Sequence, residues 1–347
     1  MRIAIVPLLM AVALGPVVFS PPAQATATEL AFATYNVCKT DCAAPAPSWD
    51  VRRERVARTI NESGVDVLGL QEATWQPTAN AKTQWQDLAN LVSAGGYVSP
   101  VFSQGSQECA WTKENPHKCT HTAALFFRSS TVEQVTTPNG TPSAGVTNEG
   151  TIVAGLDADS ASREVAWAYL RGRSGTAPFL ALSVHTSTDK DPTHEASRVL
   201  FANTVTAWVQ AMNNTHGLPG AAVVLMADLN SYVARQPQGA QNVLYTGGWV
   251  DTAAAPDRRN YRFSTINYNP VSGDSGFPVK PYQFNRDATR IDYVLALGPA
   301  VPVAYEVVMH VKADGSFDEA YQGSDHQMVR AVVSLLPAQA GIGRSAG

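Results

Sequence analysis

At 347 residues the chain has room for one large domain or two ordinary ones, and 45% hydrophobic against 16% charged residues excludes a disordered polymer. A formal net charge of −4 excludes a scaffold that holds nucleic acid through bulk positive charge, though not an enzyme with a local cationic cleft. No internal period of repeat length is present, so a solenoid or propeller is not expected.

The chain opens as a leader. Arg2 precedes an apolar run from Ile3 to Phe19 and then Ser20-Pro21-Pro22-Ala23-Gln24-Ala25: a basic start, a short apolar stretch and a small-x-small end. Cleavage is expected after Ala25, with Ala27 as the alternative, leaving a secreted, extracellular domain over 28–337 and a frayed tail over 338–347. The run is short for a membrane span and no other follows, so no stable membrane anchor is expected. In an oxidising compartment the four cysteines read as two disulfides. Of the three pairings, Cys38–Cys42 with Cys109–Cys119 is favoured, because each closes a short polar or Pro-containing loop. The rival is a zinc site from Cys109, His117, Cys119 and His121, whose spacing fits no standard finger.

Residues Leu30–Val37 alternate in polarity as a strand, Ser48 and Asp50 can cap a helix over Arg52–Glu62 ended by Gly64, and Val65–Leu70 predicts a second strand. Trp85, Leu88 and Val92 fall at helical spacing before Gly95-Gly96, and Phe201, Val205, Trp208 and Met212 do the same before Gly217. Aromatic residues at that spacing read as core rather than as a binding stripe. Short β-like runs cover Ala123–Phe127, Ala166–Leu170, Phe179–Val184, Ala222–Ala227, Ile291–Leu295 and Met328–Leu335. Two segments, Ser103–Thr120 and the aromatic, Pro- and Gly-rich Ile266–Thr289, are too long for simple turns. Strands with a few interspersed helices predict an α/β sandwich with two sheets.

Apolar runs repeatedly end in a carboxylate, amide or imidazole: AFATYN at Asn36, VLGLQE at Glu72, FLALSVH at His185, and VVLMADLN at Asp228 and Asn230. Asp292 starts the run RIDYVLAL, and Asp325 and His326 sit in SDH just before MVRAVV. Strands of one sheet bring such ends to a common edge, where binding and catalysis collect. Asp228 and Asn230 are two apart, so an extended backbone would point both to one face. The adjacent Asp325 and His326 converge only if Gly323-Ser324 puts them on a loop. The set has the chemistry of phosphoester hydrolysis. Glu72 and Asp325 are hard oxygen ligands suited to Mg2+, Mn2+ or Ca2+, with Asn36 completing the shell. His326 titrates in the range needed to deprotonate water, Asp292 can hold its ring, and His185 and Asn230 can donate to phosphoryl oxygens.

TYN, LQE, SVH, ADLN, RIDYV and SDH, in that order from about Leu30 to Leu336, resemble the endonuclease/exonuclease/phosphatase superfamily, of which pancreatic deoxyribonuclease is a member. The resemblance implies a secreted bacterial member with an α+β fold, a four-layered sandwich of two packed mixed β-sheets flanked by helices. It implies that Asn36, Glu72 and Asp325 serve the metal, that Asp228 and Asn230 handle nucleophile and phosphate, and that His326 pairs with Asp292 beside His185. Whether Asp228 or His326 activates the water varies between family mechanisms. Ala227 stands where the family usually has glycine, and Thr186 follows His185 where leucine is frequent. Gly273-Asp274-Ser275-Gly276 resembles a protease nucleophile segment, but no Ala-Ala-His-Cys-like segment lies upstream, and it reads as a turn.

The expected activity is that of a monomeric nuclease or phosphodiesterase acting on a phosphodiester, nucleic acid first, with Mg2+ as cofactor or else Mn2+ or Ca2+. Arg258, Arg259 and Arg262, interleaved with Tyr261, are the candidate backbone contacts. A lipid enzyme of the sphingomyelinase or phospholipase C type is the alternative, supported by Tyr268, Phe277, Tyr282 and Phe284 as membrane-surface aromatics. A binding protein that kept the fold and lost the chemistry is the third, against which the complete polar set argues.

Overall fold

β1 (Thr28–Asn36) buries both of its faces, Leu30 and Phe32 on one and Ala33 and Tyr35 on the other, as a strand does only when packed between two layers. The structure, a computed structural model, describes residues 27–336 apart from 41, 43–46, 75–76, 81, 101–122, 154–163, 189–191, 234–238, 267–279 and 282–289. The expected leader and tail, the Cys109–Cys119 pair with its zinc rival, and Tyr268, Phe277, Tyr282 and Phe284 therefore lie outside the described residues.

After β1 come α1 (Trp49–Glu62), β2 (Val67–Gln71), α2 (Gln84–Ser93), β3 (Tyr97–Val98), β4 (Ala123–Arg128), β5 (Val132–Gln134), β6 (Ala144–Asn148) and a short α3 (Glu149–Ile152). Then follow β7 (Glu164–Gly172), β8 (Phe179–His185), α4 (Pro192–Thr215), β9 (Ala222–Asp228), α5 (Ala240–Thr246), β10 (Val250–Asp251), β11 (Asp257–Arg259), β12 (Asp292–Leu297), β13 (Ala300–Val307) and β14 (Val329–Leu335). One sheet runs β11-β13-β14-β1-β2-β4-β3 and the other β10-β12-β9-β8-β7-β5, with β6 also paired to β7. Both are mixed: β1–β2 and β8–β9 are parallel within otherwise largely antiparallel ladders.

The inner faces of the two sheets share one core, with Phe32 edge-on to Phe179 at 5.6 Å between centroids. The outer face of the first sheet packs on α1 and α2 through Val56, Ile60, Leu88 and Leu70, and that of the second on α4 and α5 through Phe201, Val205, Leu244 and Leu225. This is the expected α+β sandwich of two mixed sheets flanked by helices. Phe201 and Val205 are fully buried and Trp208 and Met212 pack against the same cluster, so that stripe is core. No helix among the described residues is long and apolar enough to cross a membrane.

The sheets approach most closely at Gly69, where a Cβ would lie 2.6 Å from Met226 Cβ and 3.2 Å from Ser183 Cβ. Gly69→Ala is expected to cost about 1–3 kcal/mol, the usual penalty of overpacking. It should appear as a lower urea midpoint at unchanged slope. Directly above, Gln71 accepts from Thr34 Oγ1 (3.0 Å) and donates to Ser183 Oγ (3.2 Å), a buried polar layer that ties the sheets together below their common edge.

Several elements escape the hydrophobic pattern, β13 and α5 among them. β13 contains Pro302, which the ladder absorbs at a register shift between Pro302 and Ala304. α5 is only seven residues long and is started by Gly239. At α1, Ser48 occupies the N-cap position as expected, but without a side-chain bond, and the helix begins at Trp49.

Candidate active site

Strand register assembles the site. His185 at the end of β8 stands beside Asp228 at the end of β9, which stands opposite Asp292 at the start of β12. On the first sheet Asn36 ends β1 beside Gln71 of β2, so Glu72 is the next residue out. Glu72 takes a left-handed backbone (φ 58°), an arrangement that costs a non-glycine residue about 1–3 kcal/mol and is kept where the surroundings enforce it.

These groups converge on Asp228. Its Oδ2 accepts from Asn36 Nδ2 at 3.0 Å, lies 3.5 Å from His185 Nε2 and 3.9 Å from His326 Nε2. The same Asn36 amide donates to Glu72 Oε1 at 3.3 Å, and His185 Nε2 is 4.0 Å from that oxygen. His326 Nδ1 meets Asp292 at 3.0 and 3.2 Å. Asn36, His185, Asp228, Asp292 and His326 are all buried, while Glu72 keeps 20% of its side chain exposed and opens the site to solvent.

Burial, and then the charge of Asp292, push the Asp228 carboxyl up, against His326, Asn36 and the Asn230 amide, which pull it down. Burial would lower His326, but Asp292 above all, with Asp228 and Asp325, holds its imidazole well above the usual range. The site is thus a crowded cluster of carboxylates around the His326 ring. Asp228, Asp292 and His326 bring their ligand atoms within 4.8 Å of one another and form a triad able to hold a divalent metal ion. The donor chemistry suits such an ion, since hard oxygens crowded against their mutual repulsion are what a divalent cation relieves.

Asn230 departs from the expected extended pair with Asp228. Its φ is 46°, its N–H donates to Asp228 Oδ1 at 3.0 Å, and its amide donates to the Thr186 carbonyl at 3.1 Å. An Asx-type turn therefore replaces the extended strand end, because Asp228 must bond the backbone that follows it. Asp325 and His326 do sit on a loop, as expected. Ser324 Oγ bonds the Asn36 carbonyl at 2.7 Å, and Ile266 bridges to His326. Cys38–Cys42 forms the expected disulfide, with its sulfurs near Asp325.

Arg258, Arg259 and Arg262 are exposed on and after the edge strand β11, with Arg258 4.6 Å and Arg262 5.5 Å from the Tyr261 ring centre. Arg262 precedes Ile266 by four residues, so its Cα lies within about 14 Å of the residue that pairs with His326. Arg171 and Arg173, on the other sheet, pair with Glu133.

Several supporting residues had no sequence motif. Thr265 Oγ1 accepts from the N–H groups of Ile291 (3.1 Å) and Asp292 (3.2 Å), fixing the start of β12. Arg290 pairs with Asp251 under the Tyr293 ring. Glu195 and Arg198 of α4 form a buried pair that reaches Ser231 Oγ (2.7 Å) and the Ser187 carbonyl (2.6 Å), bracing the loops after β9 and β8.

A model of the Endonuclease/Exonuclease/phosphatase family matches residues 33–326. No curated protein matches the chain. Among solved structures, a mannosyl-6-phosphatase from Bacteroides thetaiotaomicron VPI-5482 is similar at TM-score 0.58 and 16% identity, over 88% of this chain and 99% of that one. An endonuclease/exonuclease/phosphatase protein from Beutenbergia cavernae DSM 12333 is similar at 0.56 and 19%, over 88% and 72%. D. rerio TDP2 complexed with single strand DNA product is similar at 0.53 and 14%, over 88% and 99%. At these identities the likeness is one of fold.

Proposed function

The chain belongs to the endonuclease/exonuclease/phosphatase family, and from that premise we propose that it is a secreted, divalent-metal-dependent phosphodiesterase that hydrolyses nucleic acid. The observation that carries the reading is the convergence of Asn36, His185 and His326 on Asp228, with Glu72 sharing the Asn36 amide and Asp292 behind His326. Glu72, with Asn36 and Asp325, would hold Mg2+, because Glu72 keeps 20% of its side chain exposed while Asp228 and Asp292 are buried. Such an ion supplies charge stabilisation to the phosphoryl group and the leaving oxygen. Asp292 keeps the His326 ring oriented, so that the other nitrogen faces the reacting groups and moves a proton there. Asp228, held by Asn36 and Asn230, orients the attacking water. His185 and Asn230 donate to the phosphoryl oxygens as charge develops.

Nucleic acid is favoured over a small phosphoester by the Arg258–Tyr261–Arg262 stack, a cationic and aromatic surface of the kind that tracks a phosphate backbone. The test is cleavage of plasmid DNA, RNA, sphingomyelin and bis-p-nitrophenyl phosphate with Mg2+, Mn2+, Ca2+ or EDTA. Metal-dependent cleavage of DNA or RNA is expected. Phosphocholine release with intact nucleic acid would move the protein to the lipid branch, and retardation of DNA without cleavage would make it a binding protein. Arg258→Ala with Arg259→Ala should raise KM for plasmid about tenfold and leave bis-p-nitrophenyl phosphate unchanged. Equal loss on both substrates would remove the stack from substrate binding.

A further inference from the structure

α1 carries a charge where its core stripe runs. Trp49, Arg52, Val56 and Ile60 recur at helical spacing on its buried face, and Arg52 is fully buried, 5.0 Å from the Trp49 ring centre. A buried cation usually sits against a carboxylate. Among the described residues, the hydrogen bonds of this one all go to carbonyl oxygens: Val37, Cys38 (2.6 Å) and Lys39 (2.5 Å) of the loop after β1, and Gly323 (2.9 Å) of the loop before β14.

Those two loops carry the two halves of the site. In the first, Cys38 N–H donates to Asn36 Oδ1 at 2.9 Å and Lys39 N–H to Glu72 Oε2 at 3.0 Å, so two of the peptides whose carbonyls Arg52 grips are the ones whose N–H groups orient the amide and the open carboxylate. The second runs from Gly323 through Ser324 directly into Asp325 and His326. Gly323 can reach Arg52 only because it lacks a side chain, since a Cβ there would lie 2.5 Å from Val56 Cγ2 and 2.7 Å from Val56 N. Burial pulls the Arg52 guanidinium down to about 10, and the nearby carboxylates of Asp325 and Glu72 offset part of that.

We propose that Arg52 is a positioning residue for the divalent-ion site, its planar fork setting the spacing between the Asn36/Glu72 loop and the Asp325/His326 loop. The inference rests on the metal-dependent reading above. A fork that binds consecutive carbonyls and a fourth from another loop is a geometric device that a lysine, with a single nitrogen, cannot reproduce while keeping the charge. Arg52→Lys therefore separates geometry from charge.

The experiment is Mn2+ binding followed by electron paramagnetic resonance on wild type and Arg52→Lys, with activity on bis-p-nitrophenyl phosphate alongside. The variant is expected to bind Mn2+ at least about tenfold more weakly, in the range lost when a partner supporting a metal ligand is removed. Its kcat should fall, with KM for the phosphodiester within about twofold of wild type. A folded Arg52→Lys protein with wild-type Mn2+ affinity overturns the inference, even if it melts earlier. Should that variant fail to fold, Gly323→Ala lifts the fourth carbonyl away while leaving Arg52 in place. The same loss of affinity is expected from it, and wild-type affinity there is equally fatal. Wild-type protein that binds no Mn2+ would overturn the metal reading itself, and this inference with it.

Discussion

Replacing His326 with alanine is expected to lower kcat on any phosphodiester the protein cleaves by two to four orders of magnitude, roughly the contribution of a positioned acid–base group. The reason lies in how the ring is held. Nδ1 is committed to Asp292 at 3.0 Å, and only Nε2, 3.9 Å from Asp228, is directed at the reacting groups. Asp292→Asn keeps the shape of that contact and removes the charge that raises the imidazole, so it should share most of the loss. The double variant should be little worse than the worse single one, since the two residues act as a unit. His326→Ala leaves Asp292 buried without its partner, a stability cost of about 1–3 kcal/mol that circular dichroism melting would register. A folded His326→Ala protein with more than a third of wild-type kcat would remove His326 from the chemistry.

Much of the candidate site is legible in the sequence, for a physical reason. A strand buried on both faces appears in sequence as an apolar run, and the polar residue that stops it marks the sheet edge. Asn36, Glu72, His185 and Asp228 are legible on that ground alone, and Asp292 because it opens such a run. What the runs cannot convey is backbone turned out of the strand: Asn230 curls into a left-handed turn against Asp228, and Glu72 does so beside Asn36. Nor do they convey partners distant in sequence. In the sequence Arg52 reads as one of several charges on α1, and its partner Gly323 comes from the far end of the chain. The first turns of α4 were invisible for a related reason. They bury Glu195 and Arg198 against each other instead of presenting an apolar stripe, so only Phe201 onward carried the helical pattern. β13 was masked by Pro302, whose missing N–H the ladder accommodates at an irregularity.

Glu72→Gln should separate the metal from the rest of the machinery. The substitution preserves size and an acceptor for the Asn36 amide at Oε1, replaces the Oε2 that accepts from Lys39 N–H with an NH2, and takes one carboxylate from a cluster that includes Asp228, Asp292 and Asp325. Without divalent ion the relieved repulsion outweighs that one exposed bond, so in EDTA the variant should melt at or slightly above the wild-type temperature. With ion the order reverses. Wild type gains stability by mass action, about 2.7 kcal/mol when the ion is at a hundred times its dissociation constant, and the variant gains little. Activity at fixed Mg2+ should fall by more than the 10–100-fold that loss of an outer-shell partner costs, because Glu72 would be a direct ligand. The crossing of the two melting curves is the decisive feature. An ordinary structural defect would lower the variant in both buffers, and a site that needs no ion would leave both proteins unmoved by Mg2+. If Glu72→Gln keeps the wild-type response to the ion, the metal belongs instead to the buried Asp228, Asp292 and His326 triad. The proton-handling role given to His326 would then have to pass to another group, with His185, 3.5 Å from Asp228, the next in reach.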